Sequence, residues 1–415
     1  MLGRYILPLL SISGYVPVYL TRDEERIYNG ELGWVFEKAM RVVVKIGNIM
    51  GADRLVPIDH AHISGVGYAN IGEAGLSLLR DLYSGGARFS VYTTANPGSV
   101  DEYSASYFSY GDRFISGQKE ILEIFRGMGV RAFTCTPYYY REPRAGEILA
   151  WAESNAVLMA NSIYGARSNR ESGLLALFEA IIGRTYRGGL IRSENRVPQI
   201  VFRIEARPRN IVEYGVAGLI VGEISGDRIP YIDGISFKRH EDIKAFLAAA
   251  GSSGGMGMIL IEGVSLEARG IGGRIDIKSL ETISIEDKDL RRVSEDLECG
   301  DVDAALIGCP HASQEIVEEL ARMISERGVR ASKPVWIFTS PHVYEDLARR
   351  GVVDTLTSKG VKIFTGICGV ISPLNSLGYR CIATPSAKAA FYLPKLAGVR
   401  FIYMDLPEIV EKMFK

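Results

Sequence analysis

Short apolar runs broken by polar, glycine-rich segments recur along the chain, and in its last third they alternate with helical periods. From Glu286 onward the spacing predicts strands over 304–307, 335–339, 361–364, 381–384 and 400–404, with helices over 313–327 and 343–350 and another opening near Ser386. That rhythm is the signature of a parallel, doubly wound sheet. Near the start, Leu32, Phe36, Ala39, Met40, Val43, Val44 and Gly47 mark one face of a helix over 23–50, with Gly51 as its stop. A strand over 54–58 then delivers Asp59, His60, His62, Ser64, Gly65, Val66, Gly67 and Tyr68 into a loop. A second strand over 89–92 delivers Thr93, Thr94, Ala95, Asn96 and Pro97 in the same way. A helix over 117–128 and a strand over 131–133 that ends at Cys135 make a βαβ unit. Residues 146–165 are helical in spacing but carry Glu153, Ser154, Asn155, Asn161 and Ser162, which need partners if buried. Around Val197 the texture changes to glycine-rich strands up to about residue 274, including the loop GSSGGMG at 251–257. The expected architecture is therefore α/β in three lobes: N-terminal (1–195), central and glycine-rich (196–285), and C-terminal (286–415).

Composition narrows the function classes. With 415 residues, 47% of them apolar, the chain can fill two or three cores. Its 48 lysines and arginines nearly balance 49 aspartates and glutamates, and no basic stripe stands out, which argues against nucleic acid and anionic membranes as partners. An anionic ligand must then be held by a local site. The stretch Tyr5 to Leu10, interrupted by Pro8, is too short for a membrane span or a secretory signal and reads as a first strand. Five cysteines, an odd number spread over a long chain, fit a reducing cytoplasm better than a disulfide scaffold.

Three of those cysteines, Cys135, Cys309 and Cys368, each follow a short apolar run, in RAFTC, DAALIGCP and KIFTGIC. Ligands of open α/β sheets bind at the carboxyl ends of strands, so each thiol is placed to reach a cleft. Three thiolates are one fewer than a closed iron-sulfur or zinc site requires, which leaves one position for a substrate atom. Burial as a small core residue is the commoner explanation of any one of them, and three at equivalent positions shift the balance toward a site. Cys299, at a helix end, and Cys381, inside an apolar strand, read as structural. His60, His62 and His311 are metal ligands, acids or bases in one reading and loop-fixing hydrogen-bond partners in the other. Ser64, Gly65, Val66 and Gly67 offer backbone N–H groups to an oxyanion, or simply a turn. Lys388, at the start of a helix, is placed to meet an anion or to remain solvated.

The longer motifs HAHISGVGYANIGEAG, TTANPGSV, TCTPYYY, AGEILAWAESNAVLMANSIYGAR, LIGCPHAS, ICGVISPL and ATPSAKAAFY together resemble the aconitase X family, over nearly the whole chain. The resemblance implies an aconitase-like α/β fold of several lobes, with parallel sheets around a central cluster cleft. It implies a cytoplasmic hydro-lyase of an archaeal-type mevalonate pathway in isoprenoid biosynthesis, which converts (R)-5-phosphomevalonate into trans-anhydromevalonate 5-phosphate. The cofactor it implies is an iron-sulfur cluster, 4Fe–4S, on Cys135, Cys309 and Cys368, with one iron left open. Gly65, Val66, Gly67, Asn96, Pro97, Glu153, Ser154 and Lys388 fall in motifs that line the family's substrate pocket, with Lys388 neutralising a substrate anion. The base, a serine of a mobile swivelling domain, is expected on a small partner subunit, which makes the enzyme a heterodimer and leaves no catalytic residue assigned here.

Three departures stand out. Gly67 replaces a frequent serine, Gly366-Ile367 replaces Asp-Thr before the third cysteine, and Pro385 replaces asparagine. Dehydration of cis-3-hydroxy-L-proline or another small hydroxy acid is the alternative within the fold. A non-catalytic iron-responsive binding protein is the alternative from another class.

Overall fold

Three parallel sheets, whose strands lead into helices, and one antiparallel pair, Leu55–Pro57 with Arg184–Tyr186, form the framework of the computed structural model. The structure describes residues 17–273, 275–295 and 299–415, so the strand expected over 5–10 lies outside the described residues.

The C-terminal sheet runs in spatial order Val361–Thr365, Val335–Thr339, Ala304–Ala312, Cys381–Thr384 and Arg400–Tyr403, all parallel. One face is covered by Ile316, Leu320, Leu347 and Ile409 from three helices, and the other by Phe108, Leu374 and Leu393 around Trp336 and Phe364. Strands buried on both faces must be apolar throughout, which is why this region reads so plainly as alternating strand and helix. Cys381 opens its strand and is joined by a disulfide to Cys299, with Cα atoms 5.7 Å apart. The two cysteines read as structural are thus bonded to each other, a link the reducing-compartment reading did not anticipate.

The N-terminal sheet, in the order Tyr92–Ala95, His60–Ile63, Ile148–Trp151 and Arg167–Arg170, departs further from expectation. His60–Ile63, expected in a loop, is an interior strand. Its polarity is met in part laterally, since Thr94 Oγ1 on the next strand lies 3.0 Å from His60 Nε2 and 2.8 Å from His62 Nδ1. The Trp151 ring meets both imidazoles edge-on. The helix expected over 146–165 is instead a strand, Ile148–Trp151, then a helix, Ser154–Leu158, that widens into a π-turn over Met159–Ile163. The helix expected over 23–50 is two, Arg22–Tyr28 and Trp34–Ile49, because Gly30 and Gly33 adopt φ of 84° and 97° between them. The expected strand over 131–133 contributes one parallel bridge, between Phe133 and Ala95.

The central sheet runs Thr282–Ile285, Ile200–Ile204, Pro230–Asp233 and Leu260–Ile261. Its glycines belong largely to helices rather than to strands. Ile211–Ser225 and His240–Ser253 pack so closely that a Cβ on Gly218 would stand 2.1 Å from the Phe246 carbonyl oxygen, and one on Gly222 2.3 Å from that of Ala250. Leu290 and Val293 of the next helix join the same apolar cluster. Among the described residues no helix is long and apolar enough to cross a membrane.

Candidate active site between two strand ends

The carboxyl ends of the N-terminal and C-terminal sheets enclose a cavity of about 300 Å³. All four N-terminal strands reach it: Ser64, Gly65 and Val66 follow the first in sequence, Asn96 and Pro97 the second, Ala152, Glu153 and Ser154 the third, and Arg170 ends the fourth. The other wall supplies Cys309, Pro310, Cys368, Val370, Ile371 and Lys388. A short parallel bridge closes the seam, with Gly98 N donating to Gly366 O and Cys368 N to Gly98 O, each at 3.0 Å. This is where an α/β sheet places its ligands.

The three cysteines converge here although their sequence positions span 234 residues, and all three are free thiols. Cys309 turns inward because the strand bulges at Gly308, whose φ is 108° and whose added Cβ would sit 2.0 Å from the Phe338 carbonyl oxygen. Glycine alone fits there. His311 ties the three segments together. Its ring lies 3.1 Å from Ile367 O and 3.4 Å from Thr134 Oγ1, the residues just before Cys368 and Cys135, and its N–H donates to Cys135 Sγ at 3.2 Å. Burial keeps this imidazole neutral, with its pKa lowered to about 4. Burial, with the nearby Glu153 charge, pushes the Cys135 thiol up to about 12, and burial raises Cys309 and Cys368 as well. Thiols held neutral in this way ionise when a metal supplies the opposing charge.

Among the described residues no three His, Cys, Asp or Glu side chains gather tightly enough to hold one ion. Three thiolates on a single zinc would stand about 4 Å apart, given a Zn–S bond of about 2.3 Å. Thiols spread around a cavity of this size fit a centre of several metal atoms instead.

Lys388 does not offer a free charge to the cavity. Its Nζ donates to Glu153 Oε1 and, at 3.4 Å, to Ser154 Oγ, and both partners of the ion pair are buried. Burial alone would raise the Glu153 carboxyl; the Lys388 charge and hydrogen bond, with the Ala156 N–H, bring it below the usual carboxylate range. Lys388 is raised in turn, Glu153 outweighing its burial. Glu153 also caps its helix through Ala156 N at 2.7 Å, and Ser386 caps the helix carrying Lys388 while donating to the Cys309 carbonyl. Each group is thereby fixed to an element end. Asn96 Oδ1 accepts from His62 Nε2 at 2.9 Å, and buried Gln118 accepts from Tyr68 N and Ser99 N while donating to Val66 O.

Of the residues singled out from sequence, Gly65, Val66, Asn96, Pro97, Cys135, Glu153, Ser154, Cys309, Cys368 and Lys388 all line the cavity. Gly67 is not part of the lining: it caps the next helix where a Cβ would meet Ser99 Oγ at 2.4 Å. Its backbone therefore makes room for packing. His60 and His62 support the wall from the sheet interior. Asn70, Arg170 and Tyr392, which also line the cavity, were not picked out. Tyr392 lies one turn beyond Lys388 on the same helix and was within reach of helical spacing; Arg170 had no such signal.

Comparison with known proteins agrees across the chain. Models of the aconitase X first, second and third domains match residues 17–194, 198–295 and 302–415. The phosphomevalonate dehydratase large subunit of Thermococcus kodakarensis is 40% identical over 379 residues, 90% of this chain and 95% of that one. That of Aeropyrum pernix is 40% identical, covering 91% and 96%. A cis-3-hydroxy-L-proline dehydratase of Pseudomonas aeruginosa is 31% identical over 94% of this chain and 68% of the relative. The crystal structure of Thermococcus kodakaraensis aconitase X in its holo-form superposes with a TM-score of 0.89 at 38% identity, covering 95% of this chain and all of that one.

Proposed function

The chain belongs to the aconitase X family and is a hydro-lyase, and from that premise we propose that it is the large subunit of an enzyme removing water from (R)-5-phosphomevalonate to give trans-anhydromevalonate 5-phosphate. The observation that carries the reading is one cavity shared by three free thiols and a buried lysine–carboxylate pair. Cys135, Cys309 and Cys368 would hold a 4Fe–4S cluster. When bound, such a cluster has one iron without a protein ligand, a Lewis acid that favours loss of hydroxide from carbon.

The chain's own residues then bind and orient. Asn96, fixed by His62, and the backbone around Gly65 and Val66 face the substrate carboxylate with hydrogen-bond donors, which favour charge building up there as the adjacent C–H is lost. Lys388 balances Glu153 and holds Ser154, so that the substrate meets a fixed polar surface. The reaction takes a proton from the carbon next to the carboxylate and breaks the neighbouring C–O bond, and proton and hydroxide leave together as water. Glu153, held ionised below the usual range, is a weak acceptor for that proton. A small subunit carrying the swivelling domain supplies the base, in keeping with relatives named as large subunits.

The test is anaerobic reconstitution of this chain with iron, sulfide and the small subunit, offering phosphomevalonate and cis-3-hydroxy-L-proline side by side. Water loss from phosphomevalonate only, and only with both chains present, is expected. Preference for hydroxyproline would overturn the substrate, and full activity without the small subunit would place the base here.

A further inference from the structure

We infer that Arg170 anchors the phosphoryl end of the substrate, and that the GSSGGMG segment at 251–257, the last helical residues of His240–Ser253 and those just after them, exists to aim it. This rests on the phosphomevalonate reading. Arg170 ends the edge strand of the N-terminal sheet and lines the cavity. Among the described residues its guanidinium is held by backbone carbonyls alone: Nη1 donates to Gly254 O at 2.7 Å and Met256 O at 3.4 Å, and Nη2 to Gly251 O at 3.0 Å. Gly251 lies in the last turn of helix His240–Ser253 and Gly254 and Met256 follow it, where backbone acceptors lack helical partners. They neutralise no charge, and they fix the plane of the group.

Electrostatics separates Arg170 from the cavity's other cation. Lys388 is compensated by Glu153, whereas Arg170 has no carboxylate partner among the described residues. Of its five N–H groups, Nε–H and one on Nη2 have no protein acceptor among the described residues. Both sit on the edge of the guanidinium that grips two oxygens of a phosphate or carboxylate at once. Glycine lets this segment pack against its neighbours: an added Cβ would stand 2.7 Å from Leu190 Cδ1 at Gly257 and 2.8 Å from Leu158 Cδ1 at Gly251.

Placement also favours the phosphoryl end over the reacting end. The strand bearing Arg170 is at one edge of the sheet, and Cys135 follows Phe133, which bridges Ala95 at the other. Three strand spacings of about 4.8 Å separate those edges. A substrate with its leaving hydroxyl near the thiols would extend its phosphorylated arm toward Arg170.

The experiment compares wild type with Arg170→Gln and Arg170→Lys, as the full chain for binding and as the cluster-loaded two-subunit enzyme for turnover. Binding of inorganic phosphate is measured by calorimetry, KM for phosphomevalonate by turnover, and binding of unphosphorylated mevalonate by its inhibition. Arg170→Gln should raise the phosphate Kd and the phosphomevalonate KM roughly 10- to 100-fold, with mevalonate binding, iron content and Tm unchanged, and Arg170→Lys should recover part of the loss. Unchanged phosphate affinity would overturn the assignment even if wild type dehydrates phosphomevalonate. Equal losses for mevalonate would move Arg170 to the carboxylate and overturn it too, as would a fall in Tm that accounts for the loss. If phosphate binding depends on Arg170 but wild type leaves phosphomevalonate untouched, the anchor stands and the substrate reading fails.

Discussion

The two sheets that enclose the cavity are built in opposite ways. The C-terminal sheet is apolar through its interior strands, which turn polar where they end, at Cys309 and toward the helix with Lys388. The N-terminal sheet carries polarity in its interior: His60, His62, Thr93, Thr94, Ser168 and Asn169 are all buried, and His60 Nδ1 and Trp151 Nε1 have no hydrogen-bond partner among the described residues. A buried polar network is costly when partly satisfied and confers a fixed orientation when it closes. In this account the apolar sheet is a stiff mount for Cys309 and Cys368, and the polar sheet, with Cys135 beyond its edge, orients the loops proposed to meet the substrate.

The ion pair between the walls gives the strongest way to break that division. Lys388→Ala leaves Glu153 as an uncompensated buried charge and should cost about 3–5 kcal/mol, read by denaturant unfolding. Substrate affinity should fall while iron is retained, and iron loss of the same order would erase the distinction between the sheets. The pH dependence has a fixed sign. Because Glu153 is held below its ordinary value of 4.5, its contribution is present above that value and is lost as pH falls through the lowered folded pKa.

Two histidines sharpen the comparison at smaller cost. His311→Ala frees the segments before Cys135 and Cys368 and should weaken iron retention by about 10- to 100-fold against a chelator. His62→Ala should instead raise KM by about 10-fold, through loss of Asn96 orientation, with iron content unchanged. Exchanged phenotypes would show that the sheets do not divide the work this way.

The smallest effect concerns stability beside the polar sheet, where Glu171 follows the strand Arg167–Arg170 and Glu179 lies on the helix Gly173–Ile182. Burial raises Glu171 to about 7 and Glu179 well above the ordinary range. Carboxyls with raised folded pKa values stabilise the fold while protonated, so stability should decline as pH rises above about 4.5, with the Glu171 share lost by about 7 and the Glu179 share lost as pH rises through its own raised folded pKa. Glu171→Gln should flatten that decline in thermal unfolding across the pH series; an unaltered slope would show that Glu171 is not its source.

The same contrast explains what the sequence revealed. Runs such as VWIFT at 335–339 and CIAT at 381–384 are buried on both faces, so hydrophobicity marks them directly. HAHI at 60–63 and RSNR at 167–170 are strands because of neighbours far away in sequence, such as Thr94 and Trp151, and no local period announces them. The site follows suit. Cysteines after apolar runs, and motifs long enough to resemble a family, led to the thiols, Glu153, Ser154 and Lys388. Arg170 stayed hidden because its meaning depends on the carbonyls of Gly251 and Gly254, more than 80 residues away, and Lys388 gave no local hint that Glu153 would neutralise it.

The central claim is that three of the five cysteines, and those three alone, hold the metal centre at the joined strand ends. Iron and acid-labile sulfide, measured after anaerobic reconstitution of each single Cys→Ser variant, test it most directly. The account predicts loss of the cluster in Cys135→Ser, Cys309→Ser and Cys368→Ser and wild-type loading in Cys299→Ser and Cys381→Ser. Equal loading, or equal loss, in all five would contradict it.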